Sequence, residues 1–336
     1  MTTPYKEIKR FIMIKELAKK LESKFKLKQK YNIVLTDLFL NETDKSKDPI
    51  LSIITSKTNL PDEIVDYINK KVLKIISKLN SITNKIEQVE VSNIGKYIVL
   101  MYKKIKYRIN KKTYDRIRSQ IIDTSFSKSY TLETILWMLY HRYYNVNLFN
   151  NLQGAVHPKF YKQIKEKFKS NVEGFGSFFN HLLKYYCGLF PDLEKYFGCL
   201  GNFFTSELTK KFYVVNPPFW TDKINQTINH VLSELDKRDE LTILLILPAW
   251  LTKDRQKLNK VCNQKLEMKE YQDELNYEPI FKSKYLKQYL LYCKSNFVYY
   301  DYIGEKDCCF TPSNLILLSN YENPDMEKIF GKADAK

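Results

Sequence analysis

The sequence predicts an α/β protein: a mostly parallel sheet covered by helices on both faces, preceded by a mainly helical, basic front. From about residue 131 onward, short apolar runs such as Phe212-Tyr213-Val214-Val215 alternate with longer amphipathic stretches. Strands that are apolar throughout and separated by helices indicate a parallel sheet buried on both sides. Ahead of residue 131, apolar residues recur at helical spacing among many lysines. Charge divides at the same place. Residues 1–130 hold 28 Lys+Arg against 14 Asp+Glu, so 55 − 28 = 27 basic and 38 − 14 = 24 acidic residues remain for 131–336. The front therefore carries +14 of the formal +17.

Within the front, residues 5–30 place Ile8, Phe11, Ile12, Leu17, Leu21 and Phe25 on one helical face, with lysines on the other. A polar run at 41–57 reads as a loop, and Asn59-Leu-Pro-Asp-Glu opens a second helix by its cap chemistry, with Ile64, Ile68, Ile75 and Leu79 inward. Residues 96–108 are rich in Tyr, Ile and Val and read as one or two strands. Residues 111–122 return to helical spacing through Tyr114, Ile117 and Ile121, presenting Lys111, Lys112, Arg116 and Arg118 outward, either as a ligand-facing ridge or as a solvated face. Thr131 caps a helix carrying Leu132, Ile135, Leu136 and Leu139, and the domain boundary is placed near 130.

Beyond it the expected strands are 172–175, 212–215, 242–247, 297–302 and 315–318, with helices at 178–186, 222–237 and 284–291. The charged tail from about Asn323 is expected to fray. The domains are thus 1–130, 131–322 and the tail 323–336.

Composition narrows the partners. A pI near 9.3 favours a polyanion, nucleic acid first. The six cysteines show no CxxC pair and His141, His157, His181 and His230 are scattered, so neither a metal site nor a disulfide framework is expected. No apolar stretch reaches the ~20 residues a membrane span needs, and no secretory leader is apparent, which leads to the expectation of a soluble protein in a reducing compartment.

Asn216-Pro217-Pro218-Phe219 directly follows the apolar strand 212–215. Ligands of open α/β sheets bind beyond the carboxyl ends of strands, and this turn stands at one. Two prolines fix φ and lack N–H groups, so the turn is stiff and its carbonyls are open to a ligand. The Asn216 amide oxygen and the Pro217 carbonyl can accept both hydrogens of an amine whose lone pair is delocalised into a purine. This draws the lone pair out of the ring plane toward a methyl donor. Phe219 offers a face for a flipped base. The plainer alternative is a turn that only redirects the chain.

Further residues carry a family likeness. Glu173-Gly174-Phe175-Gly176-Ser177-Phe178-Phe179-Asn180, then Tyr186-Cys187-Gly188-Leu189-Phe190-Pro191-Asp192, then Tyr196-Phe197-Gly198, stand ahead of Asn-Pro-Pro-Phe. The run Leu245-Ile246-Leu247-Pro248-Ala249-Trp250 follows it. In this order and spacing the chain resembles the cap-specific adenosine methyltransferases of the phosphorylated-CTD-interacting-factor type, clearly over about 131–320. The resemblance implies a Rossmann-like class I methyltransferase domain. It further implies methyl transfer from S-adenosylmethionine to the 6-amino group of a 2′-O-methylated adenosine next to the cap of mRNA.

On this resemblance Asn216, Pro217, Pro218 and Phe219 form the catalytic turn. Phe175, Gly176, Ser177 and Asn180, with Phe197, Gly198 and Asn216, border the methyl donor, and Pro248 and Trp250 join Phe219 around the adenosine. No WW module is recognisable at the front, and Trp220-Thr221 stand where the family commonly has an acidic residue. Adenine in DNA or internal RNA remains an alternative substrate, as does a catalytically silent RNA binder. The resemblance and the Lys- and Asn-rich composition suggest an intracellular protein of an AT-rich virus or a protist, nuclear, cytoplasmic or in a viral factory.

Overall fold

The computed structural model describes residues 2–25, 62–83, 88–146, 153–168, 172–261, 275–309, 311–321 and 326–334. Its packing divides the chain into two compact units, Met1–Asn151 with Leu189–Thr205, and Leu152–Gly188 with Ser206–Lys336. The expected loop at 41–57 and the cap residue Asn59 lie outside the described residues.

In the first unit, helix α1 (Pro4–Phe25) starts where Thr3 Oγ1 accepts the Lys6 N–H at 3.3 Å, with Pro4 in the first helical position. Phe11, Ile14, Leu17 and Leu21 form its buried stripe, while Ile12, expected inward, is 45% exposed. Helix α2 (Asp62–Asn80) buries Ile64, Ile68, Val72, Ile75 and Leu79, and it packs on α1, as does the helix at Leu132–Asn145.

Strands β1 (Glu90–Ile94), β2 (Tyr97–Tyr102) and β3 (Ile105–Asn110) form an antiparallel meander, so the front holds a whole sheet among its helices. Its first hairpin turns through Gly95 at φ 57°, a left-handed conformation glycine adopts without strain. Asn110 caps α3 (Lys111–Ser119), which stops short of the expected Ile122. Helix α4 (Leu132–Asn145) is capped by Thr131 and buried almost all round, which makes it the unit's central rod.

A buried ionic cluster ties these pieces together. Arg142 on α4 donates to both Asp192 carboxylate oxygens at 2.6 and 2.8 Å and to Glu7 at 2.8 Å, and Arg10 lies 2.5 Å from the other Glu7 oxygen. Burial alone would raise the Glu7 carboxyl, but Arg10 and Arg142 reverse this and hold it far below the usual range.

The second unit contains a small antiparallel sheet of β4 (Gly154–Val156), β10 (Tyr299–Asp301) and β11 (Lys306–Cys308), ordered β11-β10-β4. The expected strand 297–302 belongs there and not to the main sheet. Helix α5 (Pro158–Phe168) follows β4. The main sheet has six strands in the order β6-β5-β7-β8-β12-β9: β5 (Val172–Glu173), β6 (Tyr185–Tyr186), β7 (Phe212–Val215), β8 (Thr242–Pro248), β9 (Leu286–Tyr292) and β12 (Ser313–Ser319). Strands β6, β5, β7 and β8 pair in parallel, while β12 runs antiparallel to both neighbours. Phe212, Val214, Leu244, Ile246, Leu290, Leu315 and Leu317 build the core on one face. Helices α6 (Thr221–Lys237) and α7 (Thr252–Val261) follow β7 and β8.

Two expected helices are strands or turns. Over 178–186 the spacing of Phe178, Phe179, Leu182, Leu183 and Tyr186 suits a helix, but Glu173 accepts the backbone N–H groups of Leu182 and Leu183 at 2.6 and 2.8 Å. Those donors are thereby withdrawn from helical bonding, and the chain makes a turn and then β6. Over 284–291 the chain makes a turn and then, from Leu286, is β9, paired with β12. The tail does not fray where it is described: Met326, Phe330 and Ala333 are buried and the Asp334 N–H donates to Leu291 O at 2.9 Å. Cys293 is disulfide-bonded, while Cys187, Cys199, Cys308 and Cys309 are free. Among the described residues no helix is long and apolar enough to cross a membrane, and no His/Cys/Asp/Glu group could hold a metal.

Candidate active site at the carboxyl ends of the parallel strands

Three turns leave the same edge of the parallel sheet: residues 174–180 after β5, 216–220 after β7 and 249–251 after β8. Strand β5 lies between β6 and β7, so the chain moves to one side for β6 and returns past β5 for β7. Strand order reverses between β5 and β7, and a crevice opens at such a reversal.

The turn after β7 projects Asn216. Its Oδ1 is buried and accepts no hydrogen bond among the described residues. A buried acceptor left unpaired costs about 1–3 kcal/mol, a cost removed when a ligand N–H reaches it. Pro217 is buried, and its carbonyl likewise accepts no hydrogen bond among the described residues. The next carbonyl is engaged, since Pro218 O accepts the Trp220 N–H at 2.8 Å. Two neighbouring acceptors are therefore without a partner among the described residues.

Phe219 is half-buried and meets Trp250 edge to face, with ring centroids 6.1 Å apart at 74°. It meets Tyr299 similarly, at 5.9 Å and 82°. The Tyr299 hydroxyl is tied to Ser313 Oγ at 2.6 Å, which fixes the ring. Pro248 ends β8, and its carbonyl accepts the Tyr277 hydroxyl at 3.0 Å and the Trp250 N–H at 2.9 Å. Pro248 thus anchors the turn that carries Trp250. Behind it, Asp254 Oδ2 accepts the Tyr289 hydroxyl at 2.8 Å and Asn314 Nδ2 at 3.2 Å. Burial pushes the Asp254 carboxyl up, and these two hydrogen bonds work against that shift.

The turn after β5 is held from within. Ser177 N–H donates to Asn180 Oδ1 at 2.8 Å, and Ser177 Oγ donates to Gln153 at 2.5 Å and accepts the N–H groups of Phe179 and Asn180 at 3.2 and 3.3 Å. The oxygens of Ser177 and Asn180 therefore shape the loop, and Phe175, half-exposed, is its prominent side chain. Gly176 is needed for close approach: a Cβ there would lie 3.0 Å from Tyr186 Cβ. Phe197 is fully buried and Gly198, at φ 98°, ends the turn Lys195–Phe197; both belong to the first unit.

The structure thus brings Asn216, Pro217, Pro218, Phe219, Pro248 and Trp250 into one neighbourhood, on the same sheet edge as Phe175, Gly176, Ser177 and Asn180. Sequence reasoning missed Tyr299, Tyr277 and Gln153. The aromatic run Tyr299-Tyr300 was a visible signal for the first. A lone Gln153 and a lone Tyr277 gave none.

The family model described as phosphorylated CTD interacting factor 1 WW domain matches residues 111–287. The chain is 23% identical over 239 residues to the Homo sapiens protein named mRNA (2'-O-methyladenosine-N(6)-)-methyltransferase, covering 61% of this chain and 34% of that protein. It is 27% identical over 121 residues to the Mus musculus protein of the same name, covering 34% of this chain and 17% of that one. The chain spans about a third of the human relative and less of the murine one. The matched model also corrects the expectation that a WW module is missing, because that reading considered only the front of the chain and the match lies at 111–287. With more than half its length inside the matched span, the chain belongs to the phosphorylated CTD interacting factor 1 WW domain family.

Proposed function

We propose that the chain is an S-adenosylmethionine-dependent RNA methyltransferase acting on the N6 amine of adenosine, with the cap-adjacent 2′-O-methyladenosine of mRNA as its substrate. The observation that carries the proposal is the orphaned Asn216 Oδ1 at the point where strand order reverses. It is an acceptor awaiting an N–H donor, and with the Pro217 carbonyl it matches an amine's two hydrogens. The names of the human and murine relatives support the reaction class. The strand order, with antiparallel β12 inserted between parallel strands, supports a Rossmann-like class I methyltransferase domain.

On this reading S-adenosylmethionine, bordered in the second unit by Phe175, Gly176, Ser177, Asn180 and Asn216, supplies an electrophilic methyl group. The protein's own residues do the rest. Asn216 and Pro217 accept the amine hydrogens and turn its lone pair out of the purine plane. Phe219 and Trp250 hold the base, and the prolines keep the acceptors preorganised. Little acid-base chemistry is then required: as the N–C bond forms the donor's S–C bond breaks and its sulfur leaves as a neutral thioether, while the amine sheds one proton to solvent. Residues 1–130 supply sequence-independent contacts to RNA phosphates, and 131–322 the chemistry.

The test is transfer of labelled methyl to four substrates: capped RNA beginning with 2′-O-methyladenosine, the same RNA uncapped, RNA with internal adenosine, and duplex DNA. Label only in the first, strongly reduced in Asn216→Ala, is the expected result. Label in DNA alone would overturn the RNA assignment, and RNA binding without any label would mark a silent binder.

A further inference from the structure

We propose that the first unit contains a nucleotide-binding cavity, separate from the methyl-transfer turn and independent of that reading. The cavity encloses about 460 Å³, within the roughly 300–1,000 Å³ of small-molecule sites and far larger than a single inorganic anion requires. Its walls come from the start of α1, the end of α2, the stretch around Phe126 and the segment around Tyr196. All of these belong to one compact unit.

Its chemistry has two halves. Among the described residues Lys6, Arg10 and Lys195 line it, with Asp192 as the acidic side chain. Lys6 and Arg10 are only 8% and 4% exposed, so their charge sits in the wall and is not screened as a surface lysine would be. Adding the ionic cluster behind the wall, the basic residues are Lys6, Arg10, Arg142 and Lys195 and the acidic ones Glu7 and Asp192, a formal sum of 4 − 2 = +2. Thr2, just ahead of the 22-residue helix α1, and Lys6 in its first turn also line this space. The opposite half is aromatic: Phe126 and Tyr196, edge to face at 5.4 Å, line the same space. A phosphate against the cations with a planar base against the rings satisfies both halves, which a bare phosphate or an aliphatic acid does not. The ligand class is a nucleoside phosphate, either free or as the first nucleotide of an RNA chain.

Calorimetric titration of the full chain tests this with ATP, inorganic pyrophosphate, a short RNA bearing a 5′-triphosphate and a serine-phosphorylated peptide. ATP or the RNA is expected to bind at least tenfold more tightly than pyrophosphate. Preference for the RNA identifies a strand end as the source, and preference for ATP a free nucleotide. Lys195→Glu, at an exposed position, should weaken that binding by tenfold or more with an unchanged melting curve, and Lys6→Gln should weaken it as well, while Asn216→Ala leaves it intact. Equal affinity for pyrophosphate, tighter binding of the phosphopeptide, no binding, or binding indifferent to Lys195→Glu would overturn the proposal. So would loss of ATP binding in Asn216→Ala, which would place the nucleotide in the methyl-transfer site.

Discussion

At the tip of β7 one amide oxygen lacks a partner among the described residues, and function and stability should pull apart there. Asn216→Ala removes the orphaned acceptor, so thermal unfolding should show unchanged or slightly raised stability. Methyl transfer should fall about 10²–10³-fold, the typical effect of removing one preorganised polar group from a reacting centre. Phe219→Ala should cost about 1–3 kcal/mol of base stacking, measured as lower turnover with methyl-donor affinity preserved, because its ring meets Trp250 and Tyr299. Two other residues set the response to acid. Burial holds His141 near 4 against its ordinary 6.5, so the unfolded chain takes up the proton first and stability declines as pH falls from about 6.5 toward 4. The loss is on the order of 3 kcal/mol. Glu7 is depressed, so its contribution is present above 4.5 and is lost as pH drops below that value. Melting curves against pH should show both phases, and His141→Gln should remove only the upper one. The turn at 216–219 was legible in sequence because its chemistry is local. The Glu7–Arg142–Asp192 cluster was not, since its members are 135 and 50 positions apart.

The strand β7 matches its sequence expectation to the residue, and β8 and β12 differ only at their ends, because each is an unbroken apolar run with both faces covered. The segments at 178–186 and 284–291 misled for one reason. Their aromatic and leucine spacing fits a helix, but their backbone bonds are claimed elsewhere, by the Glu173 carboxylate in one case and by β12 in the other. In β9 alternate residues serve opposite faces: Leu290 and Tyr292 join the main core, while Leu291 packs with Ala249 and Leu258. Periodicity alone does not register such tertiary partners. The approach of β5 to β6 gives a direct test. Gly176→Ala would place a methyl 3.0 Å from Tyr186 Cβ, an atom fixed to the backbone and unable to swing away. A loss of about 1–3 kcal/mol is expected in urea unfolding.

For the molecule as a whole, the basic front is not a detachable module. Residues 189–205 return to the first unit, where Asp192 meets Arg142 and the Tyr196 carbonyl accepts the N–H groups of Ile122 and Asp123 at 3.0 and 3.3 Å. Deleting residues 1–130 would strip Glu7 from a fully buried Arg142, a change that typically costs about 3–5 kcal/mol, and would uncover the α4 core. The 131–336 fragment should therefore lack cooperative unfolding by calorimetry; a sharp, two-state transition in that fragment would refute this account. Composition revealed the charge asymmetry but not this return of the chain, because nothing in residues 189–205 taken alone names the partners they meet.

The same excursion orders events on the ribosome. Arg142 is translated fifty residues before Asp192, so the nascent amino-terminal half must wait, with a cation lacking half its partners, until the intervening 152–188 stretch has emerged. A chain released early, before position 192, would leave both halves unfinished and exposed to aggregation.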